Sequence, residues 1–277
     1  MIRSILVALD DTDGAVAARD LALALARSTG AALSAATVLD GPHARNAHEA
    51  VPPGAAAFKE RRDAARARRL EAEAEQAFAA CTAAAGDTPF TPLRLADAPG
   101  PALLAAAATH DLIVIGRDST LGLEVNDSGL APVIGALLHH GARPLLVVPP
   151  GPSPAGGGVL VGYDGSVPAL RAMQVFALLG LGAGLPVKVL SVAVTRDEAQ
   201  RMAEEGAAFL RSHGLAAEAV PVAGTHPLEA LLAEAAAMPA RMLVMGAYEN
   251  SALRTLFTGS VTEKLLIGAS CPVFVMH

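Results

Sequence analysis

The sequence predicts an α/β protein made of two repeated domains, each a buried parallel sheet flanked by helices. Three observations carry this. Short runs of Val, Ile, Leu and Ala alternate with helix-length segments, the whole series occurs twice, and a breaker-rich stretch separates the copies (residues 149–158, Pro-Pro-Gly-Pro-Ser-Pro-Ala-Gly-Gly-Gly). Continuous apolar strands joined by helices suit a parallel sheet buried on both faces. Right-handed crossovers then put helices on both sides of it. The 277 residues allow two domains of ordinary size, each with its own core.

The elements follow in order. Residues 5–10 (Ile-Leu-Val-Ala-Leu-Asp) read as a strand ending in Asp10, and residues 160–164 (Leu-Val-Gly-Tyr-Asp) repeat it, ending in Asp164. Helical segments follow over 15–28 and 167–181, then second strands over 32–38 and 187–192, all at an offset of 154. The fourth strands, 112–116 (Leu-Ile-Val-Ile-Gly) and 242–246 (Met-Leu-Val-Met-Gly), align at 130. The last strands, 144–148 and 272–276, align at 128. The first half therefore holds about 24 extra residues between its second and fourth strands, read as a loop over 41–54 and a long helix over 55–85. In that helix Lys59/Asp63 and Arg69/Glu73 stand at i,i+4 and mark a solvated face. Each half reads β-α-β-α-β-α-β-α-β, which gives one domain over 1–150, a linker over 151–158 and a second domain over 159–277.

Composition narrows the function classes. The chain is 52% apolar and only 3% aromatic, a share that comes from Ala, Leu and Val and fits closely packed helices on aliphatic strands. No run has the length and apolarity of a transmembrane helix. The first apolar stretch stops at Asp10 and Asp11, without a signal-peptide core, so the expected location is the cytoplasm. Net charge is −6, divided into −4 for residues 1–148 and −2 for the rest, so neither half offers a basic face to nucleic acid. Cys81 and Cys271 lie in dissimilar contexts and read as buried thiols, not as a disulfide or a zinc framework.

In a sheet of this kind ligands bind beyond the carboxyl ends of the strands, where the strand order reverses. In the second half the fourth strand ends in Met245 and Gly246, Glu249 follows three residues on, and Gly259 and Ser260 open a helix that runs on from Val261. A glycine after a buried strand allows close backbone approach, and a Gly-Ser helix start presents N–H groups and the positive end of the helix dipole. Ser260 also fits a capping box with Glu263, which would account for it without a ligand. The first strand ends in Asp164, Gly165 and Ser166, a strand-end acid, a turn glycine and a helix cap, with Pro168 in the first turn.

These residues resemble the universal stress protein family, whose Gly-x2-Gly-x9-Gly-Ser/Thr segment holds the phosphates of ATP in its nucleotide-binding members. Gly246, the nine-residue spacer, Gly259 and Ser260 match that pattern, while Glu249 stands where the family has its second glycine. A carboxylate about 4–5 Å from a phosphate would oppose binding by about 3–4 kcal/mol at an effective dielectric near 20. A turn toward water, neutralisation by Arg254 or a bridging Mg²⁺ would reduce that. By the same resemblance Asp164 would lie beside adenine and ribose, and Val192 on the second strand would cover the base. The resemblance covers nearly the whole chain, twice. It implies doubly wound, Rossmann-like or flavodoxin-like sheets of order 3-2-1-4-5 in each half, paired through their fifth strands, with a homodimer of the tandem chain as a further option.

The first half departs further from the pattern. Asp10, Asp11 and Asp13 crowd the end of its first strand, and its fourth strand continues as Gly116, Arg117 and on to Gly129 and Leu130, without the second glycine or the hydroxyl. The acidic trio lacks the loop of a calcium site and reads as caps and turns. The half is expected to be mainly structural, though Arg117 could reach an anion and so allow a degenerate or altered site with Asp10, Val38, Gly116 and Gly129. His139 and His140 point about 100° apart near a helix end and suit no shared metal. His226 reads as a cap-region residue at the start of the third helix of its half. The implied function is a stress-response protein that binds ATP, with or without Mg²⁺, or another adenine nucleotide, and acts through protein partners. The alternatives are a nucleotide-independent interaction scaffold and, further off, a slow ATP hydrolase or nucleotidyl-transferring enzyme.

Overall fold

The computed structural model of the protein describes residues 1–39, 52, 54–122, 129–152, 157–247 and 261–277. In the first half these form β1 (Ser4–Ala8), α1 (Asp13–Thr29), β2 (Ala32–Leu39), α2 (Ala56–Ala85), β3 (Phe90–Ala96), α3 (Pro99–Ala107), β4 (Leu112–Gly116), α4 (Pro132–His140) and β5 (Leu145–Val148). The second half gives β6 (Val159–Gly162), α5 (Val167–Leu179), β7 (Pro186–Ala193), α6 (Arg196–Ser212), β8 (Ala216–Ala223), α7 (Pro227–Ala237), β9 (Met242–Gly246), α8 (Val261–Gly268) and β10 (Val273–Met276). The alternation expected of each half is present. Most of the loop expected over 41–54, and residues 153–156 of the linker, lie outside the described residues.

The ten strands make one sheet of order β3-β2-β1-β4-β5-β10-β9-β6-β7-β8. Each half is thus a parallel 3-2-1-4-5 sheet, and the halves join where β5 runs antiparallel to β10, with Leu146 opposite Phe274. The repeat extends to register. Ser4 pairs with Ala32 and Ile5 with Leu112, as Val159 pairs with Val187 and with Met242.

Because side chains alternate along a strand, each strand feeds two cores. Ile5, Val7, Leu33 and Val114 face α1 and α2, while Val159, Val161 and Val189 face α5 and α6 within the same cluster. Leu6, Ala8, Ile113 and Ile115 face the other way toward α3 and α4, with Leu160, Leu243 and Met245 toward α7 and α8. Burial of each such Leu or Ile contributes about 1.5–3 kcal/mol. The long α2 buries only Ala74, Phe78, Cys81 and Ala85, a stripe confined to its second half. Its exposed face carries the expected Arg69–Glu73 ion pair at 2.6 Å. Both cysteines are buried free thiols, and burial pushes Cys81 upward and Cys271 to about 11. Among the described residues no helix is long and apolar enough to cross a membrane.

Candidate functional site

A cavity of about 550 Å³ opens at the carboxyl ends of β6, β7 and β9, in the crevice between β6 and β9 where the strand order of the second half reverses. Asp164 leaves β6 and folds its side chain onto the turn, with Oδ1 accepting from the Ser166 N–H at 3.0 Å. Gly165 makes that turn with φ +75°, open to glycine at no steric cost. Ser166 is the N-cap of α5, its Oγ accepting from the Ala169 N–H at 3.3 Å, and Pro168 sits in the first turn. The first turn of α5 thereby forms one wall of the cavity.

The opposite walls are apolar. Val192 comes from β7 and Met245 and Gly246 from the end of β9. Gly246 is needed for a packing reason: a Cβ there would overlap the Ala169 nitrogen and the Pro168 carbonyl carbon. The bare glycine lets β9 lie directly against the start of α5. Five of the expected second-half site residues, Asp164, Ser166, Val192, Met245 and Gly246, therefore line one cavity, with Gly165 in the turn beside it. Val261 is the first residue of α8. Glu249, Gly259, Ser260 and Arg254 lie outside the described residues.

Sequence reading missed several wall residues. Leu190 precedes Val192 by two on the same strand face, Leu231 reaches in from α7, and Gly162 has Leu231 against its Cα. Strand alternation would have found Leu190; Leu231 gives no local signal. Tyr163 is also missed. Its hydroxyl donates to Glu205 Oε1 at 3.2 Å, and burial, reinforced by the Glu205 charge, pushes the phenol up to about 12. His226 is the N-cap residue of α7 and makes no side-chain cap bond. Among the described cavity-lining side chains, Tyr163, Asp164 and Ser166 carry oxygen atoms, and each is turned onto a neighbouring group.

The first half uses the same frame, with its strand-end acid turned onto neighbouring groups. Asp10 Oδ1 accepts from the N–H and Oγ1 of Thr12 at 3.0 and 2.7 Å, and Thr12 caps α1 as Ser166 caps α5. Asp10 Oδ2 accepts from the Leu121 N–H at 3.0 Å, and burial raises the Asp10 carboxyl above its ordinary range. Gly116 meets Gly14 and the Ala15 nitrogen as Gly246 meets Pro168 and the Ala169 nitrogen. Val38 is buried, and Leu121 and Leu130 belong to the same buried cluster. Gly129 turns with φ +72°.

Arg117 departs from its expected place at an anion. Its Nη1 donates to the carbonyls of Leu266, Ile267 and Ala269 at 3.3, 2.7 and 3.0 Å, across the seam at the end of α8. Three orphan carbonyls and the negative end of the helix dipole hold the guanidinium there. His139 and His140 lie in the last turn of α4 with ring centroids 6.1 Å apart. Among the described residues no group of three or more His, Cys, Asp or Glu side chains is arranged to hold a metal ion.

Comparison with known proteins agrees with this geometry. The family model described as the universal stress protein family matches residues 1–149 and again 158–277. The chain is 33% identical over 121 residues to the universal stress protein Slr1230 of Synechocystis sp., a match covering 43% of this chain and 42% of that relative's length. It thus spans less than half of that relative. Among solved structures, a universal stress protein from Archaeoglobus fulgidus shares the fold with a TM-score of 0.68 and 18% identity, over 99% of this chain and 95% of that one. The functionally unknown protein PA1789 of Pseudomonas aeruginosa gives 0.56 and 18%, over 99% and 92%. With two family matches spanning nearly all of its length, one on each half of a continuous ten-stranded sheet, the chain belongs to the universal stress protein family.

Proposed function

We propose that the second-half cavity binds an adenine nucleotide of the ATP or AMP type, and that the chain acts as a regulatory module of a cytoplasmic stress response through protein partners. The observation that carries this is the cavity itself, about 550 Å³ at the strand-order reversal of a doubly wound sheet. Val192, Leu190 and Met245 supply apolar surface for a flat base. Asp164, at the end of β6, supplies a carboxylate acceptor for ribose hydroxyls. The start of α5 contributes the positive end of its dipole to the cavity wall. The reading assigns no catalytic residue, and turnover of ATP, if any, would be slow.

The test is calorimetric titration of the purified chain with ATP and AMP, with and without Mg²⁺, beside the variants Asp164→Ala and Glu249→Gly. Saturable binding weakened about tenfold or more by Asp164→Ala supports the proposal. Absence of binding at millimolar nucleotide by both the natural chain and Glu249→Gly would sink it. Binding by Glu249→Gly alone would identify Glu249 as the block and favour a nucleotide-independent scaffold.

A further inference from the structure

We infer that Asp118 is a built-in ligand of the first half: its carboxylate occupies the anion position at the N-terminus of α1. Asp118 lies two residues past the end of β4. Its Oδ2 faces the Gly14 N–H at 3.4 Å, a charge–dipole contact more than a tight hydrogen bond. Gly14 is within the first turn of α1, where backbone N–H groups have no partner inside the helix. A Cβ at position 14 would overlap Asp118 Oδ1, so the carboxylate sits where only a glycine admits it. The repeat places Pro168 at the position of Gly14, and proline has no N–H to offer.

A second observation points the same way. Asp118 Oδ1 and Ser119 Oγ are both buried without a hydrogen-bond partner, and Ser119 is 0% exposed. Ser119 Oγ would lie 2.8 Å from a Cβ on Gly116, and that same Cβ would overlap the Ala15 nitrogen. Both unpaired oxygens therefore stand at one helix start. Buried unpaired oxygens are a loss unless a field offsets it, and the positive end of α1 is the field present. Tethering accounts for occupancy beside Asp10, Asp11 and Asp13, which would repel a free anion: a covalently attached carboxylate acts at a high effective concentration. With the loop held in this way, the Leu121 N–H reaches Asp10, and Leu121 and Leu130 are buried in the cluster that contains Val38.

Removing the side chain should leave a site for a small carboxylate or oxyanion, for which formate is the probe. The inference stands whether or not the second half binds nucleotide. In Asp118→Ala the melting temperature should fall by about 2–4 °C, and the Gly14 amide should exchange faster by NMR. Replacing chloride by formate at equal ionic strength should raise the melting temperature of the variant more than that of the natural chain, saturably, and slow the Gly14 amide again. An equal response of both proteins to formate, or unchanged exchange at Gly14, overturns the inference. If the alanine variant does not fold, Asp118→Ser carries the same comparison.

Discussion

Gly246 and Gly116 end the fourth strand of each half, and in both the missing Cβ is what allows a strand end to rest on the first turn of a helix. The neighbouring atoms are backbone, which cannot rotate away. Gly246→Ala should therefore lower unfolding stability by about 1–3 kcal/mol, read from urea titration, and distort the cavity wall at the same time. Tyr163 offers a pH test at the same scale. Its phenol is raised from 10.0 to about 12, so the folded chain keeps a proton that the unfolded chain releases. The sign is fixed by linkage: this contribution is whole below pH 10 and is lost as pH rises through 10 to 12. Tyr163→Phe should flatten that part of the stability curve, measured by urea unfolding from about pH 9 upward. The Glu205 contact that reinforces the effect of burial joins residues 42 apart in sequence, so no local pattern announces it.

At the scale of elements, the helices and strands were legible because their signals are local. The apolar runs, the cap at Ser166 and the glycine-ended fourth strands each depend on a few neighbouring residues. The strands at the two ends of the sheet, β3 and β8, contain Pro92 and Pro221, and proline on an edge discourages further strand addition. The role of α8 was not legible, since its last carbonyls are capped by a side chain from the other half. Arg117→Met should remove that cap, lower stability by about 1–2 kcal/mol and speed amide exchange in α8. Arg117→Lys should restore part of the loss, because an ammonium meets fewer of the three acceptors.

For the whole molecule, the seam between β5 and β10 decides how far the halves depend on each other. Phe274 is fully buried on β10, opposite Leu146 of β5 and edge-on to Phe176 of α5 at 6.0 Å. Each of the two cores holds residues from both halves. The natural chain should therefore unfold in one cooperative transition by calorimetry. Phe274→Ala should cost about 3–5 kcal/mol and raise hydrogen exchange in β5 and β10 together. Exchange rising in β10 alone would show that the seam transmits little.

The amino-acid sequence by itself determined the repeat, the strand and helix series, the extended helix α2 and the candidate site residues at the ends of β6 and β9. Strand and helix periodicity and turn chemistry are written over short windows, and duplication writes them twice. Tertiary structure alone decided which distant side chains meet beyond the strand ends of each half. In the second half Gly162, Leu231 and Leu190 converge around the cavity, while in the first Asp118 and Leu121 fold back onto Gly14 and Asp10. It also decided that Arg117 faces across the seam and not into its own site. Those outcomes depend on side-chain directions between segments distant in sequence, which are set only when the sheets pair and the helices pack.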